Sequence, residues 1–433
     1  MFRFKVSWKL WPVWAATVLL GTPPAVYSQS PDSNQTELIQ SLREKIDQLE
    51  RRMAQMEELL DARTAARAKP EIKPDTLREP IAPMGGPAHP MGTEVRPSEL
   101  STYPSLKIAG FGDLNFATTD VRGSRSGFNE GQFVLHLNSN LASKVTFLGE
   151  LSLSARTDAG TGTPPATGFN VEVERSIVRF EQNDNFKISF GRYHTPINYW
   201  NTEFHHGQWL QTTTSRPEMT QFGGRFIPVH FVGALVEGAV PARGLNLNYN
   251  IGVGNGRGAI ISRSGDFGDN NNNRAWLVSV FAKPDHPFGL QVGASLYRDK
   301  ITPTTGLNAR EWIRSGHIVW RKENPEFIAE FANITHETVG ARLATFNSQA
   351  WYVQAAYRLP GVAALWKPYY RFEYIHIPKS DPIFQGVPSL AGSVVGLRYD
   401  ISSFAALKLE YRRQRRPDQQ RLNGIFGQTS FTF

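Results

Sequence analysis

The chain of 433 residues has no cysteine, which excludes a disulfide scaffold and any thiolate metal or redox site. It also lacks a run of the roughly 18 consecutive apolar residues that a spanning helix needs, and its mean hydropathy is −0.36. From Leu106 onward sustained helical periodicity is missing too. No nucleophile–base set or paired carboxylates stand out, so no enzyme activity and no cofactor are expected. Aromatic residues are plentiful (10 Trp, 13 Tyr, 27 Phe), and the formal charge is +8. That charge alone does not choose among nucleic acid, anionic solutes and anionic lipid as partner.

Arg3, Lys5 and Lys9 precede a short apolar run from Leu10 to Gly21, and small residues follow up to Ser28. This is the layout of a secretory signal peptide over 1–28; Pro12 and the short run argue against a membrane anchor. Within residues 32–68, Ile39, Leu42, Ile46, Leu49, Met53, Met56 and Leu60 fill a and d positions of three heptads. Lys45 and Arg52 fall at g, and Glu50 and Glu57 five residues later at e, as in a parallel homo-oligomer. A lone amphipathic helix would not require that complementarity. Ile at a with Leu at d points to two strands. Residues 69–105 are proline-rich and read as an extended tether.

The body, 106–433, alternates apolar and polar residues in segments of about ten. Phe133, Leu135 and Leu137 oppose Gln132, Val134, His136 and Asn138. Leu407, Leu409 and Tyr411 oppose Lys408, Glu410 and Arg412. Sixteen such strands can be drawn: 106–117, 130–139, 144–156, 171–181, 185–193, 229–239, 245–254, 274–283, 289–297, 311–321, 326–334, 350–359, 366–377, 392–400, 405–414 and 424–433. The strands 171–181 and 311–321 alternate poorly. Connections after odd strands are long and those after even strands short, for instance Ser139–Ser143.

The expected fold class is therefore all-β: a sixteen-stranded antiparallel transmembrane barrel, in the bacterial outer membrane, with the helical coiled coil in the periplasm. A soluble sandwich could not hold so polar a second face. Tyr297, Trp320, Trp351, Trp366, Tyr370, Tyr374 and Tyr399 are expected in interfacial girdles on the apolar face. The final strand ends on Phe433, which resembles the terminal signal read by the barrel assembly machinery.

The longest connection, His194–Pro228, needs a functional reason. Folded into the lumen it would narrow a pore, so Glu203, His205, His206, Arg216 and Arg225 are the constriction candidates. No metal is expected: neighbouring histidines diverge in extended chain, and no third ligand stands at a recognisable spacing. By parity Lys107, Asp113, Arg156, Lys187, Arg371, Arg398, Lys408 and Arg412 face the lumen, as do Lys144, Glu150, Glu373 and Glu410. Residues 106–433 carry 34 basic and 26 acidic groups, a balance that favours small anionic solutes. Part of this charge, Arg412-Arg413 and Arg415-Arg416, suits lipopolysaccharide phosphates at the rim instead. Gly254-Asn255-Gly256-Arg257-Gly258-Ala259 mimics a dinucleotide fingerprint, but a Gly/Asn/Ser loop follows where a helix is required. Asp266-Phe267-Gly268 lacks every other kinase element. The Asp266/Asp269/Asn270–Asn273 cluster lacks the spacing of a calcium loop. No nucleic-acid partner is expected.

Several strings resemble the phosphate-selective-porin-like group of outer-membrane proteins. They are Gly110-Phe111-Gly112-Asp113, Gly191-Arg192-Tyr193-His194-Thr195-Pro196-Ile197 with Tyr199-Trp200-Asn201, Gly252-Val253-Gly254-Asn255-Gly256-Arg257, and Gly268-Asp269-Asn270-Asn271-Asn272. The resemblance covers 106–433 and implies a sixteen-stranded trimeric porin for passive diffusion of small hydrophilic solutes such as phosphate or organic acids. The N-terminal heptads are similar to those of sucrose and dicarboxylate porins, which implies three strands rather than two. A structural or adhesive anchor acting through its coiled coil is the alternative.

Overall fold

A computed structural model describes residues 103–155, 168–204, 206–221, 226–261, 271–303, 307–340, 343–416 and 421–433. In the N-terminal region only Gln40, Gln48 and Arg51 are described, each helical and exposed. The signal peptide, the coiled coil with its oligomer and the proline-rich tether lie outside the described residues.

The remainder builds sixteen strands: β1 (Lys107–Thr119), β2 (Gly127–Ala142), β3 (Val145–Ala155), β4 (Phe169–Asn183), β5 (Phe186–His194), β6 (His230–Val240), β7 (Leu247–Asn255) and β8 (Ala275–Ala282), then β9 (Leu290–Ile301), β10 (Ala309–Arg321), β11 (Glu326–Thr338), β12 (Thr345–Ala356), β13 (Trp366–His376), β14 (Leu390–Ser402), β15 (Ala405–Arg415) and β16 (Leu422–Thr432). Each pairs antiparallel with its neighbours in sequence, and β1 closes on β16 from Phe111↔Thr432 to Thr119↔Gly424. Closure leaves no strand edge with unmet backbone groups, the condition for a sheet that crosses hydrocarbon.

The dyad period decides which side chains go where. Phe190, Val395, Leu409 and Ile425 stand outward and are about half exposed or more. A surface this apolar would be costly in water, at roughly 25 cal/mol per Å². Facing inward from the same strands are Ser189, Val394, Lys408, Glu410 and Gln428, all buried. Trp366 and Tyr370 do stand on the outer face. Tyr297 does not: it is fully buried inside, and its hydroxyl donates to Asp299 at 3.3 Å. A polar partner on the inner face outweighed the aromatic's apparent place in a girdle.

Strand boundaries differ most from the sequence reading on the side of the long connections. β9, β11 and β12 run on through Arg298–Ile301, Thr335–Thr338 and Thr345–Gln349, where hydrogen bonding continues but apolar alternation has stopped. At the other end, Ser139–Ala142 belongs to β2, and the turn to β3 is only Ser143-Lys144. The poor alternation of 171–181 also has a cause. The β3–β4 register slips between Glu150 and Leu151, so that Glu150 pairs with Arg175 and Leu151 with Val173. Glu174 is thus the extra residue of a bulge, and both Glu174 and Arg175 are buried in the lumen. A bulge gives two successive inward side chains where simple alternation permits one.

Candidate functional site

Near the end of β5, ahead of the β5–β6 connection, stands Gly191, whose φ is +143°. A Cβ there would lie 1.9 Å from the Ser176 carbonyl oxygen, so only glycine lets the two backbones come this close. The chain then forms a short helix, Trp200–Glu203, and crosses the barrel interior. Its apolar side packs inward: Trp200 meets Tyr352 edge-on at 6.0 Å, and Phe204 meets Trp200 edge-on at 4.9 Å. Past the described part of the loop, Phe226 stacks on Phe384 of the β13–β14 connection.

Wall residues of β11 to β16 hold the loop by its backbone. Glu330 accepts from the Tyr199 and Trp200 amides at 2.7 and 2.6 Å. Lys408 donates to the carbonyls of Gln208 and Thr213. Arg398 donates to those of Trp209 and Gln211 at 2.8 and 2.9 Å. Arg371 donates to the Ser215 carbonyl at 2.8 Å and the Ser215 hydroxyl at 2.8 Å, and Glu410 accepts from the Thr214 amide at 3.0 Å. Glu373 takes the Glu218 amide at 2.7 Å. Three of the cations are also paired within the wall: Arg371 with Glu373, Arg398 with Asp400, Arg412 with Glu410. Hydrogen bonds to charged groups contribute roughly 1.5–3 kcal/mol each, and here they converge on one stretch of chain.

This changes the role expected for the inward cations. Arg371, Arg398 and Lys408 are buried and serve as anchors of the loop rather than as free charges along a pore. Arg412 also touches the loop, donating to the Thr214 hydroxyl at 3.2 Å, and its guanidinium lies 3.7 Å from the Phe426 ring centroid. Arg416, expected at the outer rim, instead turns toward the loop and pairs with Glu218 at 3.6 Å. Lys107 sits exposed at the start of β1, and Lys187 pairs with Glu181 at 3.8 Å near the short-turn end. Lys144 is an exposed turn residue bonded to Gln182. Asp113 accepts from the Gln132 amide and from Asn115. Of the loop candidates, Glu203 is half-buried at the helix end, and burial pushes its carboxyl above the usual range against the pull of Lys283 and Arg321. Arg216 is buried, its carbonyl bonded by Arg371. His205, Arg225 and Arg156 lie outside the described residues.

The opposite wall meets the loop with imidazoles. His206 is buried, its Nδ1 3.1 Å from Gln132 Oε1 and its Nε2 3.3 Å from Glu174 Oε2. His230 Nε2 reaches the same Glu174 oxygen at 2.7 Å, and Arg192 donates to His230 Nδ1 at 2.9 Å. Glu150 pairs with Arg175, with His136 at 3.1 Å, and lies 3.6 Å from His194. Glu150, His194 and His206 bring ligand-type atoms within 4.8 Å of one another. His206 thus has ligand-type neighbours in Glu150 on β3 and His194 at the end of β5. Sequence spacing could not reveal them, because antiparallel closure brings together residues far apart along the chain. Glu174 was hidden for a second reason, the bulge.

A second inner cluster involves the dismissed glycine-rich string. Arg257 is buried against Glu311 at 2.9 Å, and His336 bridges Glu311 at 3.0 Å and Asp381 at 2.8 Å. The string therefore closes an outer connection onto the wall. Asp266, Asp269 and Asn270 lie outside the described residues.

A closed sixteen-stranded barrel with an apolar exterior and a long inner loop defines the porin fold. Comparison with solved structures agrees. The chain is similar to an anion-selective porin from Comamonas acidovorans (TM-score 0.54, 13% identity, covering 76% of this chain and 100% of that one). It is similar to OmpF of Salmonella typhi in complex with daunomycin (TM-score 0.53, 12% identity, 76% and 97%). It is also similar to the outer membrane channel DcaP of Acinetobacter baumannii (TM-score 0.52, 9% identity, 76% and 97%). At these identities the likeness concerns the fold alone. No protein-family model matches the sequence, and no curated protein does either.

Proposed function

We propose that this protein is an outer-membrane diffusion channel for small hydrophilic solutes, with a preference for anions. The observation that carries the reading is the loop 194–228, held across the lumen of a barrel whose exterior suits lipid. Such a loop narrows a water path without altering the run of the strands that make the wall. The preference follows from two ion pairs beside the loop in which the cation is the member that faces water. Arg412 is 18% exposed while Glu410 is fully buried, and Arg192 is 15% exposed against 5% for Glu174. Near the short turns the order reverses, as in Arg179 with Glu237. Anions crossing the loop level therefore meet cations whose counter-charges lie behind them. The anion-selective porin from Comamonas acidovorans, similar in fold, is in keeping with this reading.

On the same reading the barrel sits in the bacterial outer membrane as a trimer, with the heptads of 32–68 in the periplasm, and Phe433 serves the assembly machinery. Purified protein in a planar bilayer under a salt gradient tests the central claim. A stepwise conductance with a reversal potential on the anion side is expected; folded protein that never conducts would overturn it. That outcome would favour the anchor reading, which has one observation behind it: the loop buries Arg371, Lys408 and Glu330 almost completely.

A further inference from the structure

The histidine wall holds a contact that a neutral imidazole with its proton on Nδ1 and an ionised carboxylate cannot make. His206 Nδ1 faces Gln132 Oε1, an acceptor, at 3.1 Å, so this nitrogen carries the ring's proton. In the neutral ring Nε2 is then a lone pair, yet it lies 3.3 Å from Glu174 Oε2, another acceptor. A positive species must be shared there. His230 does not present the same problem. Arg192 has only donors, so His230 Nδ1 accepts from it and Nε2–H donates to Glu174 at 2.7 Å.

We propose that Glu150, His194 and His206, with Glu174 beside them, bind one divalent transition cation of the Zn²⁺ class, which pins the inner loop to the β3–β4 wall. Three features carry this. The ligand atoms of Glu150, His194 and His206 all lie within 4.8 Å of one another. Zn–N and Zn–O bonds of about 2.0–2.1 Å in a tetrahedron put ligand atoms roughly 3.4 Å apart. The observed contacts of 3.6 Å (His194 to Glu150) and 3.3 Å (His206 to Glu174) are close to that edge. Finally, Gln132 supplies the outer partner that fixes a ligating histidine's tautomer. Imidazole with carboxylate suits zinc, copper or nickel better than magnesium or calcium.

The charge balance sets the strength. Arg175 holds Glu150, Arg192 lies 3.8 Å from Glu174, and Arg216 acts on Glu174 as well. Cations this close to a dication weaken it, so micromolar binding is expected rather than a structural-zinc affinity. Binding is also lost on acidification, because the imidazoles must be unprotonated to ligate.

The full chain in detergent, stripped with EDTA, is titrated with Zn²⁺ calorimetrically and with Co²⁺ by visible absorption. Neither measurement needs conductance, so it stands or falls apart from the channel reading. One ion per chain is expected, with a tetrahedral Co²⁺ spectrum. His206→Ala and His194→Ala should abolish uptake while the protein keeps its heat-modifiable mobility in SDS. Gln132→Ala, which leaves every ligand in place, should weaken binding about tenfold or more. No uptake by the wild type overturns the proposal and leaves a proton as the species shared by His206 and Glu174. Uptake unchanged in all three variants overturns it too, placing the ion elsewhere.

Discussion

Two walls of one barrel hold the same loop by different chemistry. On β11 to β15 the holders are Glu330, Arg371, Arg398, Lys408 and Glu410, long polar side chains aimed at loop backbone. On β2 to β4 they are Gln132, Glu150 and Glu174, which face His194 and His206. Bonds to backbone groups fix a position whatever the loop's side chains are. Imidazoles make the hold depend on which side chains the loop presents. One side of the loop is therefore held through its backbone, and the other through its side chains.

The contrast breaks most visibly at Arg371. Arg371→Met removes bonds to Thr213, Ser215 and Arg216 and leaves Glu373 buried beside the Glu218 amide. Breaking a buried pair in this way costs about 3–5 kcal/mol. The loop should become protease-sensitive in the folded barrel, and single-channel conductance should rise. His206→Ala should have the smaller effect, on the order of 1.5–3 kcal/mol, seen as partial protease sensitivity at the same sites. If the two variants proved equal, the two walls would not differ as described.

Selectivity sharpens the comparison next. Arg412→Gln removes the water-facing member of a pair at the loop, whereas Arg413→Gln removes a charge from the outer side of the same strand. The reversal potential should move toward cations for the first and stay put for the second, because screening over a Debye length of about 8–10 Å hides the outer charge. Equal shifts would remove the basis for placing the preference at the loop.

The smallest expected effect is the pH response of Glu203. Burial raises its pKa, so the docked loop favours the neutral acid. Its contribution to docking is fully present below the ordinary carboxylate pKa and is lost as pH rises through the raised value. Amide exchange of the loop should slow as pH falls from neutral toward that range, and Glu203→Gln should flatten this part of the response. A Gln variant with the wild-type profile would assign the response to other groups.

Sixteen strands and an apolar exterior were legible because the dyad period of a barrel is written locally, two residues at a time: Leu407, Leu409 and Tyr411 against Lys408, Glu410 and Arg412. The inward parity of Arg371, Arg398 and Lys408 was legible for the same reason. What these cations do was not. A side chain's partner across a lumen is fixed by closure, and Lys408 reaches Thr213 over 195 positions of chain. The same holds for Glu150 with His194 and His206, and more so for Glu174, whose inward turn depends on a one-residue slip that leaves no periodic trace. Tyr297 and Arg416 teach the converse lesson, since each left its sequence-expected place for a polar partner inside the barrel. The sequence by itself determined the sheet, its sidedness and the length of the inner loop, all of which follow from nearest-neighbour geometry. Only the tertiary structure decided which charges hold the loop and which face water, because those contacts exist only once β1 has met β16 and the loop has crossed the space they enclose.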